Sequence, residues 1–129
     1  MRLSMRLAVF AALVCTAAAI LPVIASAQSV RLLVQSSPLA GFRYHQAPDA
    51  FAAMHVGDEL TLVREPDNPH DASAVRVEWR GRMLGYVPRA RNDAVAWAMD
   101  RGEPMSARIS RLQTHRNPRR RIEFEIFVE

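Results

Sequence analysis

Ala74-Val75-Arg76-Val77-Glu78-Trp79-Arg80-Gly81-Arg82-Met83-Leu84-Gly85-Tyr86-Val87-Pro88 is the stretch on which the fold turns. Residues 74–79 alternate: Val75, Val77 and Trp79 on one face, Arg76 and Glu78 on the other. A period of two is the pattern of a half-buried strand. Arg80-Gly81 is short enough for a tight hairpin turn, so residues 82–87 return as the partner strand. Pro88 closes it, because proline has no N–H to give a ladder.

Downstream, residues 92–101 predict the best helix in the chain. Asn92 or Asp93 caps it, Gly102 supplies a left-handed exit, and Ala94, Trp97, Ala98 and Arg101 share a face. Residues 105–112 and 122–128 read as the last strands, the latter with Ile122, Phe124, Ile126 and Val128 on one side and Glu123, Glu125, Phe127 and Glu129 on the other. Upstream, residues 59–65 predict a strand ending in the dense turn Pro66-Asp67-Asn68-Pro69. Residues 49–55 predict a short helix capped by Asp49, with Phe51, Ala52 and Met54 inward. Residues 41–44 read as extended, and residues 28–35 as a first strand with Val30, Leu32 and Val34 on one face. About six short strands and one or two helices imply a small, mainly antiparallel barrel, closed so that no sheet edge is exposed.

The N-terminus reads differently. Arg2 and Arg6 precede an uncharged apolar run, Leu7 to Leu21; Pro22 ends its helix, and Ala25-Ser26-Ala27 forms a small-residue cleavage site. That is the layout of a secretory signal peptide over residues 1–27, which engages the membrane only in transit and sends the domain at 28–129 to the periplasm or the extracellular space. The alternative is an uncleaved anchor, since residues 7–24 are close to the ~17–25 needed to span a bilayer. Cleavage leaves 102 residues (129 less 27), enough for one domain. Every one of the 17 basic residues is Arg; without Arg2 and Arg6, 15 face 13 acids and the formal charge is +2. So weak a global field means that anion binding must rest on local clusters. The single Cys15 leaves with the leader, and His45, His55, His70 and His115 lack paired ligand spacing, so no metal or cofactor is expected. No local nucleophile motif surrounds any serine, and Asp58 and Glu59 point to opposite faces, so no enzymatic activity is expected either.

Gly57-Asp58-Glu59-Leu60-Thr61-Leu62-Val63-Arg64-Glu65-Pro66-Asp67-Asn68-Pro69-His70-Asp71, followed by Ala74-Val75-Arg76-Val77 and Leu84-Gly85-Tyr86-Val87-Pro88-Arg89, resembles the HIRAN domain. Gly41-Phe42-Arg43-Tyr44-His45 resembles the family's Gly-x-Arg-Tyr segment. The resemblance spans about residues 30–128, and the two motifs together at this separation are specific. It implies a β-barrel related to OB and SH3-like folds that binds single-stranded DNA by its 3′ end. In larger proteins the family's domain sits beside ATPase and RING modules. This chain has neither a Walker A loop nor a Cys-rich ring, so those activities are not carried over.

The resemblance assigns Tyr44 to stacking on a base and Arg43 to a phosphate. His70 stands where the family usually has Tyr, and Asp71 would accept a hydrogen bond from a terminal hydroxyl. Asn68 contributes at the same turn, with holding the turn as its competing role. Tyr86 and Arg89 form the third cluster, with Arg91 beside them to neutralise phosphates. Independently of the resemblance, Arg116, Arg119, Arg120 and Arg121 make the densest charge in the chain, around Pro118: a track for a polyanion or simply a solvated loop. The expected partner is single-stranded nucleic acid bound by a monomer. The competing expectation is an envelope protein or other envelope component on the same barrel.

Overall fold

The computed structural model describes residues 14–23 and 30–129. The expected hairpin forms. With the strands numbered in chain order, β3 (Ala74–Trp79) buries Ala74, Val75, Val77 and Trp79 and pairs antiparallel with β4 (Arg82–Tyr86). Arg80 at φ 48 and Gly81 at φ 76 both lie in the left-handed region, the geometry of a two-residue turn whose twist matches the strands it joins. Arg80 lays its guanidinium over the Trp79 ring, 4.6 Å from its centre. The register slips between Val77 and Glu78, so Leu84 has no partner across the ladder. That bulge turns Leu84 into the core and brings Gly85 to the inner surface.

Six strands form one antiparallel sheet in the order β1-β6-β5-β2-β3-β4, where β1 is Leu32–Pro38, β2 Glu59–Glu65, β5 Met105–Leu112 and β6 Ile122–Val128. Ile109, Ile122, Phe124 and Ile126 from the last two strands meet Val75, Val77 and Leu84 in the core. The sheet curls but is not closed, which corrects the expected closed barrel. β2 pairs with β5 only at Glu59–Arg108 and Leu60–Ala107 and then diverges from it. The strands at the two ends, β1 and β4, are linked only through one isolated bridge, Ala40 with Tyr86, made by reciprocal N–H to carbonyl bonds of 2.9 Å. A longer ladder cannot form there, because Pro38 and Pro88 lack donors and Gly41 turns the chain at φ 81.

Other expectations are corrected in detail. The first strand begins at Leu32, with Val30 and Arg31 outside it and residues 28–29 of the expected strand outside the described residues; Val30, Leu32, Leu33 and Val34 are exposed, and Ser37 and Leu39 are the residues that face inward. Residues 42–44 form a 3-10 turn, not an extended piece, because the left-handed Gly41 redirects the chain. The short helix α1 is Ala47–Ala50, continued by a 3-10 turn over Phe51–Ala53; Ala47, Ala50 and Met54 are buried while Ala52 is exposed. Helix α2 (Asp93–Asp100) exits through Gly102 as expected, but packs Val95, Ala96 and Ala98 inward and leaves Trp97 62% exposed. Apolar spacing placed Trp97 on the shared face; the smaller side chains allow the helix to sit closer to β3. Phe127 is buried on the face expected to be outward, capped by Arg108 at 4.9 Å.

Residues 14–23, the described part of the expected apolar helix, carry no regular secondary structure. The basic start and the Ala25-Ser26-Ala27 site of the expected signal peptide lie outside the described residues. No helix among the described residues is long and apolar enough to cross a membrane.

Candidate nucleic-acid interface

The curl of the sheet brings distant stretches to one end of the molecule. A cavity of about 580 Å³ opens there, lined by Tyr44, Asn68, His70, Asp71, Tyr86 and Arg89 over a floor of Ala40, Gly41, Ala74 and Val87, with His45 at its side. Six of the seven residues expected to bind nucleic acid therefore share one cavity. The seventh, Arg43, does not line it. It lines an adjoining cleft of about 280 Å³ with Asn117, Pro118 and Arg119, and Gly41 and Tyr44 border both spaces.

Local chemistry explains each placement. The 3-10 turn Phe42–Tyr44 closes with Tyr44 N–H donating to the Gly41 carbonyl at 3.0 Å. Phe42 is the buried anchor, edge-on to Phe51 at 5.8 Å, so its two successors must point outward. Tyr44 is 82% exposed, not the half-buried barrel residue that packing alone would make of it. A large ring held in water by a well-anchored turn is a ready stacking platform.

The turn after β2 is held by its own side chains. Asn68 Oδ1 accepts from the His70 N–H at 2.9 Å, and Asp71 Oδ1 accepts from the Ser73 N–H at 2.9 Å. Asn68 thus holds the turn as well as facing the cavity, and it leaves the His70 ring exposed. Asp71 is fixed a second time by Asn92, which is 1% exposed and donates through Nδ2 to Asp71 Oδ2 at 2.7 Å. Asn92 makes no capping bond to α2; its amide is used across the fold instead. A carboxylate with two bonds accepted keeps lone pairs for a further donor.

Tyr86 sits edge-on to His45 at 5.7 Å and donates its hydroxyl to Glu65 Oε1 at 2.9 Å. Glu65 Oε1 also accepts from Asn68 Nδ2 at 3.1 Å, and Oε2 from Arg76 at 3.0 Å. Burial works against the Glu65 charge, but the hydrogen bonds from Asn68 and Tyr86 and the Arg76 guanidinium outweigh it and hold the carboxyl below its ordinary range. Burial, together with the hydrogen bond to Glu65 and that residue's charge, pushes the Tyr86 phenol up. Glu65 is one residue that the sequence reading missed: it ties strand β4 to the Asn68 turn. Its one visible signal was its place directly before Pro66 in the motif. His45 was missed too, although it follows Tyr44 directly.

Arg89 opens the 3-10 turn Arg89–Arg91 after Pro88 and is exposed at the cavity's rim. Arg91, expected beside it, extends instead toward the Ser36 carbonyl on β1, at 3.5 Å. Within the basic loop only Arg119 reaches the adjoining cleft. Arg116 and Arg120 are exposed, and Arg121 is drawn inward over the Phe42 ring at 5.0 Å.

The HIRAN domain family model matches residues 32–129. Two solved structures are similar. A protein from Lactobacillus plantarum is 24% identical with a TM-score of 0.66, over 77% of this chain and 95% of its own. The HIRAN domain of human HLTF is 18% identical with a TM-score of 0.56, over 76% of this chain and 77% of its own. At these identities the likeness is one of fold. No curated protein matches the chain.

Proposed function

The chain belongs to the HIRAN domain family, and on that premise we propose that it grips the free 3′ end of a single DNA strand, as a binding module without chemistry of its own. Membership supports a nucleic-acid-binding module; the end preference rests on the cavity. One observation carries it: a space of about 580 Å³ gathers an exposed ring, an anchored carboxylate and a cation from stretches distant in sequence. In this reading Tyr44 stacks on a base, with His70 offering a second, smaller face. Arg89 pairs with a phosphate. Asp71 accepts from the terminal hydroxyl, which a strand interior lacks.

Polarisation of a 5′-labelled oligothymidine tests this at low salt. The free-ended oligomer is expected to bind more tightly than one capped by a 3′-phosphate. Tyr44→Ala is expected to weaken binding by about 1–3 kcal/mol, roughly 5- to 150-fold. Equal affinity for free and capped ends would remove the end-gripping reading.

A second reading is favoured by the exposed apolar residues Leu32, Leu33 and Val34 of the edge strand β1 and Val30 just before it: an envelope protein adds a strand there. The same titration separates the two, since this reading expects no oligonucleotide binding. Export belongs to the proposal under either reading. N-terminal sequencing of the protein from an expressing cell is expected to begin at Gln28; an intact Met1 start would argue for the retained anchor.

A further inference from the structure

A run of four arginines on a loop is ordinarily a solvated surface, but this loop is fixed from within. His115 Nδ1 accepts from the Asn117 N–H at 2.8 Å, and Asn117 Oδ1 accepts from the Arg119 N–H at 3.1 Å. Gln113 Nε2 donates to the Arg120 carbonyl at 2.7 Å, and Arg121 Nε donates to the His115 carbonyl at 2.8 Å. Arg121 then covers Phe42, the buried anchor of the turn that carries Arg43 and Tyr44. Loop and turn are therefore built as one unit. Between them lies the cleft of about 280 Å³, with Arg43 on one wall, Arg119 on the other and no acid in its lining.

We infer that this cleft is a second subsite for the proposed strand, taking the phosphodiester backbone just inside the gripped end, with Arg119 as a cation of the site alongside Arg43. The inference rests on the end-gripping reading and extends it. Gly41 and Tyr44 border cavity and cleft alike, so a strand leaving the cavity passes over Tyr44 directly into the cleft. Two guanidiniums match phosphate oxygens by charge and by paired N–H donors. Because the hydrogen bonds of the loop set its shape before binding, little ordering cost opposes the contact. The remaining loop cations, Arg116, Arg120 and Arg121, take no part: Arg121 is occupied with Phe42, and the other two do not line the cleft.

The test is competition by free-ended thymidine oligomers of increasing length against the labelled strand. The dinucleotide fills the cavity; the tetranucleotide also reaches the cleft. The wild type is expected to gain about tenfold from dinucleotide to tetranucleotide and little beyond. Arg119→Ala, which removes no bond made by the loop's backbone, is expected to cut that gain to about threefold or less. It should reduce the salt slope for the tetranucleotide by about 0.7 and leave the dinucleotide unchanged. Arg101→Ala removes the same charge elsewhere and should keep the full gain. If Arg119→Ala retains the gain, or Arg101→Ala loses as much, the inference falls while end gripping stands. End gripping also stands, and the subsite falls, if the dinucleotide binds but length adds nothing. Failure of every oligomer to bind the wild type overturns both.

Discussion

Gly85→Ala is expected to destabilise the fold by about 2–4 kcal/mol and to abolish end binding with it. Gly85 lies under the Ala40–Tyr86 bridge, and a methyl group there would run into the Ala40 carbonyl oxygen, with Leu39 Cδ1 at 3.3 Å behind it. The obstacle is backbone, which cannot rotate away. Relief requires the segment after β1 to lift from β4, and both hydrogen bonds of the bridge break when it does. That segment leads directly into Gly41 and Tyr44, and Tyr86 forms the other half of the bridge, so two walls of the cavity move apart. A thermal melt followed by circular dichroism should show a midpoint lower by about 10–25 °C, from the usual few degrees per kcal/mol in a domain of this size. Gly57→Ala serves as the comparison: its φ of 93 strains any side chain, but nothing stands within 4 Å of the new methyl. If Gly85→Ala melts as high as Gly57→Ala, Ala40 does not press against β4 as described.

Glu65→Gln should have the second-largest effect, about 2 kcal/mol of stability near neutral pH. One Gln oxygen can still accept from Tyr86 or Asn68, but its amide would turn a second donor toward Arg76. The pH dependence has a definite sign. The Glu65 carboxyl is lowered from 4.5, so its contribution is complete above that pH and disappears as pH falls through the folded value. The Tyr86 phenol is raised from 10.0, so its contribution is complete below that pH and is lost as pH rises through the folded value. The network is at full strength between those limits, and Glu65→Gln should remove the acid limb. Phenolate absorbance reports the other end. With Tyr44→Phe in the background, Tyr86 is the one tyrosine left in the chain. Its midpoint should lie above 10.0, and Glu65→Gln should lower it without bringing it fully back, because burial persists. An unchanged midpoint would mean that the 2.9 Å bond between them does not form in solution.

The parts of the fold legible in the chain are those where one local pattern decides. Val75, Val77 and Trp79 alternate with Arg76 and Glu78 because β3 is paired on both sides, by β2 and β4, with one face on the core. The same pattern misleads in β1. Leu32 and Val34 alternate as well, in step with Val30 just before the strand, yet all three are exposed, because a strand's apolar period does not say whether it sits in the middle of a sheet or at its edge. Trp97 illustrates the limit for helices: spacing identifies a shared face, but which face packs depends on what lies beneath, and Val95, Ala96 and Ala98 fit closer. In the candidate site, Tyr44, His70, Asp71, Tyr86 and Arg89 could be picked out through motif resemblance, while Glu65 and Asn92 could not. Their bonds reach Tyr86 and Asp71 across 21 positions of sequence each.

What the chain determined alone is its set of local choices: a two-residue turn at Arg80-Gly81, strand periods of two, prolines that stop ladders and a glycine that ends α2. These depend on backbone sterics and on neighbours a few residues away. Only the tertiary structure decided that the sheet would stay open with a single bridge across its ends, that Arg43 would line the cleft with Arg119 rather than the cavity, and that Arg91 would turn away from Arg89. Those outcomes depend on which distant surfaces meet once the apolar faces are buried, and burial is a property of the whole chain, not of any segment.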